Sequence, residues 1–232
     1  MIDFLKIKAI SLDLDDTLWP VWPTIARAEE TLALWLAEKA PKTVPLCAIA
    51  GYQRQIREAM PALRPDLGND LSALRREAIR VLLERAGEDP SLAEPAFEVF
   101  FEARQKVIFF EDALSSLDFL KSKYPMVALS NGNADIQKVG LKDYFVAAFN
   151  PINLGVGKPD PKMFYAGAQA LGVLPAEILH IGDDPHLDVL AAQRAGLQAV
   201  WLNREEKQWT HEVHPAPFTV TSLQVLCDLW PQ

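Results

Sequence analysis

From about residue 110 onward, short apolar runs alternate with segments of helical period, and this alternation constrains the fold more than any other feature of the chain. Ala113 to Ser122 reads as a helix, Met126 to Ser130 as a strand and Ala134 to Val139 as a short helix. Phe145 to Phe149 follows as a strand, Pro161 to Leu171 as a helix and Ile178 to Ile181 as a strand. Pro185 to Ala195, stopped by Gly196, is a helix, and Ala199 to Leu202 is a strand. Strands separated by helices of this length are βαβ units, which imply a mainly parallel sheet. Ala9-Ile10-Ser11-Leu12 is a further apolar run of strand type near the start of the chain.

Between them, residues 20 to 105 carry almost no strand signal. Ile25 to Ala40 places Ile25, Ala28, Leu32, Trp35 and Leu36 at helical spacing before Pro41 and Pro45 interrupt it. Leu46 to Met60, Leu71 to Ala86 (ending at Gly87) and about Ala93 to Lys106 are further helices. The expected architecture is α/β: a Rossmann-like, mainly parallel core from 1–19 and 108–232, with an inserted helical domain from 20–107. Half of the 232 residues are hydrophobic, ample for such cores.

The net charge of −8 disfavours nucleic acid as a partner, although local cations or a metal still admit an anionic substrate. Cys47 and Cys227 are too few for a disulfide framework, so reduced thiols in a cytoplasmic protein are expected. The N-terminus lacks a signal-peptide pattern, and no apolar run reaches the roughly 18 residues that span a bilayer. No membrane partner is expected. Six Trp and eleven Phe all suit a core, so composition specifies no oligomer.

In open α/β sheets ligands bind at the carboxyl ends of the strands, and the polar candidates fall there. Asp13-Leu14-Asp15-Asp16-Thr17 follows the first strand and sets two carboxylates two residues apart. In extended chain such side chains share a side, where they repel or share a proton unless a cation intervenes. The pair suits a carboxylate nucleophile beside a carboxyl acid/base, with Mg²⁺ holding the charge. The plainer alternative is an acidic loop capping a helix.

Ser130-Asn131-Gly132-Asn133 follows the next strand and offers a hydroxyl, an amide and backbone N–H groups to an anion, or is simply an Asn-Gly turn. Lys158, in Gly155-Val156-Gly157-Lys158-Pro159-Asp160-Pro161, is either a solvated charge or a rigidly held cation for an Asp and a phosphoryl group. Gly182-Asp183-Asp184-Pro185-His186-Leu187-Asp188 places Asp183 at a strand end and Asp188 about one turn into a helix. Hard oxygen ligands there suit Mg²⁺; a cap at Asp183 or Asp184 is the alternative, and His186 is more a surface residue than a ligand.

Taken in order, Asp13-x-Asp15-x-Thr17, Ser130, Lys158 and Gly182-Asp183-x-x-x-x-Asp188 resemble the motifs of the haloacid dehalogenase-like hydrolase superfamily. The resemblance spans nearly the whole chain, and it makes the helical insertion that family's α-helical cap domain. It implies that Asp13 is the nucleophile that forms an aspartyl-phosphate and Asp15 the general acid/base. It further implies that Ser130, with Asn131 close by, binds the phosphoryl group and that Lys158 steadies the charge. Thr17 would be a structural or phosphate-contacting hydroxyl. Mg²⁺ would be held by Asp13, Asp183 and the backbone carbonyl of Asp15, with Asp188 either holding a metal-bound water or orienting Lys158. Asp16 and Asp184 have no fixed role in that pattern.

Haloacid dehalogenases of the superfamily lack an Asp at the position of Asp15, because displacing halide needs no protonated oxygen. Its presence here favours phosphoryl transfer. Phosphonate-cleaving members use a cap lysine, and Lys39 and Lys42 sit instead at a Pro-broken helix end. Phosphomutases share the acid pair, and a non-catalytic binding member would lack an acid or the Lys. Finer features, Leu14 to Trp19, Ser130 to Ala134, His180 to Asp184 and Gln198 to Leu202, resemble bacterial phosphatases acting on flavin mononucleotide and a ribitylaminouracil phosphate. The expected partner is a small phosphorylated metabolite. Cap candidates for contacting it are Arg54, Arg57, Arg75, Arg76, Tyr52 and Trp22, with Trp19. Hinges are expected near Trp19-Pro20 and Phe109-Glu111.

Overall fold

A computed structural model describes residues 2–210 and 216–230. The chain divides into two compact units, Met1–Pro20 with Ile108–Gln232, and Val21–Val107.

The first unit is built on six strands: β1 (Ala9–Leu12), β2 (Met126–Leu129), β3 (Ala147–Phe149), β4 (Ile178–Gly182), β5 (Gln198–Leu202) and β6 (Phe218–Val220). Their order is β3-β2-β1-β4-β5-β6, and every pairing is parallel. The chain order reverses between β1 and β4, which makes the carboxyl ends of those two strands the crevice of the sheet. Register aligns Leu12 with both Ala128 and Ile181, so the residues that follow these strands emerge side by side. β1, β2 and β4 are buried along their whole length, which is why they read as mostly apolar runs rather than alternating ones, with Ser11 and His180 the polar exceptions in β1 and β4.

The second unit is all helical: α1 (Val21–Lys39), α2 (Val44–Cys47), α3 (Tyr52–Leu63), α4 (Leu71–Ala86) and α5 (Ala93–Arg104). It has its own core, in which Leu32, Leu36, Met60, Leu83, Phe97 and Phe100 are buried together. α4 matches its expected span because its signals are local. Asp70 caps it by accepting from the Ala73 N–H at 2.9 Å, and Gly87 ends it at φ 67°. The helix expected over Leu46 to Met60 is instead α2 and α3, broken where Gly51 takes φ 76°.

Back in the first unit, α6 (Ala113–Lys123) precedes β2, and α7 (Pro151–Leu154) and α8 (Pro161–Leu171) precede β4. α8 packs Met163, Phe164 and Ala168 into a cluster with Val127, Leu129 and Ile178 of the sheet. Gly167 fits there because an added Cβ would meet Leu129 and Val127 side chains at 3.3 Å. The helix expected over Ala134 to Val139 does not form. Asp135 accepts from the N–H groups of Gln137 and Lys138 (2.8 and 3.3 Å), and Gly140 at φ 82° ends the turn. The segment from Pro185 to Ala195 is helical but begins with π-type turns over Pro185–Leu190 before α9 (Ala191–Arg194). β6 and α10 (Leu223–Asp228) are not among the elements expected from the sequence. Among the described residues, no helix is long and apolar enough to cross a membrane.

Candidate active site

Asp13 stands one residue past β1, its N–H donating to the Ile181 carbonyl at 3.0 Å, so the sheet itself fixes its place. The chain then turns back. Leu18 N–H donates to the Leu14 carbonyl and Asp16 N–H to that of Trp19, both at 2.8 Å, with Asp16 at φ 57°. The turn brings the Trp19 indole N–H to the Asp15 carboxylate at 2.8 Å. Trp19 is fully buried with its ring edge-on to Phe109, so this donor is rigid. Thr17 is buried too. Its hydroxyl lies 3.5 Å from Asp183, and its carbonyl accepts from Arg204 at 3.0 Å.

Lys158 arrives from the loop between α7 and α8. Its side chain is 2% exposed, and its Nζ donates to Asp13 Oδ1 and to Asp188 Oδ1, each at 2.5 Å. Asn131 holds that lysine from behind. Its amide donates to the Lys158 carbonyl and its Oδ1 accepts from the Lys158 N–H, both at 2.7 Å. The two-point clamp needs Gly157, because a Cβ there would lie 2.7 Å from Asn131 Oδ1. The side chain of Asn131 therefore orients Lys158. Ser130 is buried at the end of β2, its Oγ accepting from the Gly132 N–H at 3.0 Å.

Asp183 follows β4, and the Trp201 indole N–H donates to its carbonyl at 2.8 Å. Asp184 is a helix cap, accepting from the N–H groups of His186 and Leu187 at 2.7 and 2.8 Å. Its own N–H donates to Asp188 Oδ2 at 3.0 Å, which folds Asp188 back against the strand end. Only glycine permits this approach, since a Cβ at Gly182 would collide with the Asp188 carboxylate. His186 meets the acids through its backbone N–H on Asp184, whereas the imidazole of His180 on β4 reaches Asp188 at 3.2 Å.

Asp13, Asp183 and Asp188 each offer an oxygen within 4.8 Å of the others. Asp15 is outside this trio by its side chain. Burial pushes Asp13 well above the usual carboxylate range, with Asp188 and Asp183 adding to the push against the opposing pull of Lys158. Burial, then Asp188 and Asp16, carries Asp183 up to about 7. Burial also acts to raise Asp188, but the Lys158 ammonium and His180 outweigh it and hold it far below its usual value. Lys158 is depressed by burial and raised further by Asp13 and Asp188, leaving it firmly cationic. His180 is held low by burial. One ammonium thus faces three acids, Asp13 and Asp188 buried and Asp183 half-buried, and Asp13 and Asp183 are pushed toward protonation. That imbalance, made of hard oxygen donors, is what a divalent cation such as Mg²⁺ fits.

The residues proposed for the helical unit are mostly engaged. Arg75 pairs with Glu29 at 2.5 Å and lies over the Phe100 ring, and Arg57 reaches the same glutamate at 3.2 Å. Arg76 pairs with Glu94 over the Phe97 ring, Arg54 with Glu58, and Tyr52 accepts from Arg85.

Residues 7–196 match the family model of the haloacid dehalogenase-like hydrolases. The chain belongs to that family. It is 32% identical over 208 residues to the 5-amino-6-(5-phospho-D-ribitylamino)uracil phosphatase of Escherichia coli (strain K12), covering 86% of this chain and 85% of that one. It is 33% identical over 217 residues to the phosphoserine phosphatase of Thermus thermophilus, covering 91% and 78%. Among solved structures, a 2-haloacid dehalogenase from Pseudomonas syringae pv. tomato DC3000 superposes with a TM-score of 0.87 at 37% identity, covering 96% of this chain and 97% of that one.

Proposed function

We propose that this hydrolase is a phosphomonoesterase of small phosphorylated metabolites, working through an aspartyl-phosphate on Asp13. The observation that carries the reading is a buried Asp13, ion-paired to Lys158 at 2.5 Å, with a second acid two residues on. Asp13 attacks phosphorus and the ester P–O bond breaks, while Asp15 gives its proton to the leaving oxygen. Asp15 then takes a proton from water, which attacks the same phosphorus, frees phosphate and returns Asp13 as a carboxylate. Ser130 and backbone N–H groups of its turn bind the phosphoryl oxygens, and Lys158 balances their charge beside Asp13. Trp19 keeps the Asp15 carboxyl aimed through both steps.

The carboxylates of Asp13, Asp183 and Asp188, with the Asp15 carbonyl, are the residues that would hold Mg²⁺. When bound, the ion supplies positive charge to the phosphoryl oxygens and to the acids. A ribityl phosphate such as flavin mononucleotide or the ribitylaminouracil phosphate is the substrate lead, supported by the name of the Escherichia coli relative. Neither nucleic acid nor membrane enters this reading. Cys47 and Cys227 are free thiols, which fits a cytoplasmic setting.

A second reading, haloacid dehalogenase, is favoured by the Pseudomonas syringae neighbour. Asp15 weighs against it, since halide leaves without a proton. A head-to-head panel decides: phosphate release from flavin mononucleotide, sugar phosphates, phosphoserine and nucleotides, and halide release from 2-haloacids, each with Mg²⁺ and with chelator. Chelator-sensitive phosphate release without halide release is expected. Halide release alone would replace the phosphatase reading.

A further inference from the structure

Two polar residues interrupt the apolar strands beneath the site. Ser11 on β1 and His180 on β4 stand opposite each other in the parallel register, 1% and 0% exposed. Polar groups buried this deeply are costly unless each is bonded, and here each is. Ser11 Oγ lies 2.8 Å from His180 Nδ1, and His180 Nε2 lies 3.2 Å from Asp188 Oδ1. The Phe164 ring packs against the imidazole, edge to face at 5.2 Å, and closes its remaining side.

The partners determine which nitrogen carries hydrogen. Asp188 is ion-paired to Lys158 and only accepts, so His180 Nε2 is a donor. With Nε2 protonated, Nδ1 accepts from the Ser11 hydroxyl. Asp188 then receives Lys158 and His180 on Oδ1 and the Asp184 N–H on Oδ2, which leaves its carboxylate no freedom to rotate. Beyond it, Lys158 donates to Asp13. The order Ser–His–Asp resembles a hydrolytic triad, but Ser11 is buried within a strand and faces no substrate.

We propose that His180, oriented by Ser11, is a positioning residue that locks Asp188 and through it fixes the Lys158 ammonium against the nucleophile Asp13. The hydrogen-bond chain stands on geometry alone; its catalytic consequence rests on the phosphatase reading above. A three-donor lock on Asp188 leaves Lys158 one stable position between two carboxylates. With His180 gone, the Asp184 N–H still holds Oδ2 but Oδ1 keeps Lys158 as its only donor of these three, so the carboxylate can pivot about Oδ2 and Lys158 can follow Oδ1 away from Asp13.

The test combines a spectroscopic and a kinetic readout on the full-length protein. In ¹⁵N-histidine-labelled enzyme, the His180 resonances are identified by their absence from His180→Gln. The expected pattern is a protonated Nε2 and a bare Nδ1; a bare Nε2 overturns the proposal. His180→Phe keeps the packing but removes the donor, and kcat should fall roughly tenfold with KM little changed. His180→Gln, whose amide nitrogen reaches the place of Nε2, should recover most of that loss. An unchanged kcat in His180→Phe, or no recovery in His180→Gln, also overturns it. Should His180→Phe not fold, Ser11→Ala removes the Nδ1 partner; a fall in kcat with a shifted Nδ1 resonance supports the proposal, and no change in either refutes it. If the wild type hydrolyses no phosphate ester, the phosphatase reading fails, while the nitrogen spectrum still decides the hydrogen-bond chain.

Discussion

Asp13, Asp15, Lys158, Asp183 and Asp188 were legible as candidates because each is a charge set at the edge of an apolar or Gly/Pro-rich run, where a merely solvated residue has little reason to be. Their supports were not legible. Asn131 clamps a residue 27 positions away, and Ser11 meets a histidine 169 positions away. The only trace of the latter in the sequence is a polar residue in each of two otherwise apolar strands. Trp19, expected from the sequence as an aromatic contact to the substrate, is instead fully buried, with its indole N–H donating to Asp15. Trp19→Phe keeps the ring and removes that donor. Its kcat on an alkyl phosphate should drop on the order of tenfold, the scale of one hydrogen bond to a charged group. The drop should be smaller on p-nitrophenyl phosphate, whose leaving oxygen needs less help from an acid. Equal drops on both substrates would separate Trp19 from the acid/base step.

At the level of elements, local signals succeeded and cooperative ones failed. α4 and α8 run as expected from Leu71 to Ala86 and from Pro161 to Leu171, because capping Asp and terminal Gly mark both ends. The alternation of strand and helix fixed a parallel sheet, and the structure makes it wholly parallel among the described strands. The break at Gly51 and the loop at Asp135 depend on backbone angles and side-chain bonds that periodicity does not register. The π-type turns after Asp184 matter most for the site, since they let Asp188 fold back onto Gly182. Gly182→Ala forces that carboxylate away. The expected result is a loss of about a hundredfold in kcat, the scale of a misplacement of about 1 Å. Circular dichroism should remain that of a folded protein. Near-normal turnover in that variant would mean the Gly182–Asp188 approach is not needed.

For the whole molecule, the acid trio links chemistry to stability. Burial, with its acidic neighbours, pushes Asp183 up to about 7 in the folded state from an ordinary 3.8, so in that interval the folded state binds more protons than the unfolded. Asp13, also raised, acts in the same sense, while His180, lowered by burial, opposes them up to about its ordinary 6.5. With two acids against one imidazole, stability of the metal-free protein falls as pH rises through this window. Asp188 acts in the opposite sense, and its contribution is lost only in strong acid, below the window. Thermal unfolding in chelator should show Tm decreasing from pH 5 to 8, and Mg²⁺ should raise Tm most at the upper end. A chelator curve that rises over this range would contradict the charge balance described for the trio. The central claim, that Asp13 carries the phosphoryl group, is tested most directly by rapid acid quench. The enzyme is mixed with its best ³²P-labelled phosphate ester from the substrate panel, quenched within one turnover, digested and mapped. The account predicts label on the peptide containing Asp13, released by hydroxylamine, with neither label nor turnover in Asp13→Asn. Label on another residue, or an Asp13→Asn enzyme that still hydrolyses the ester, would contradict it.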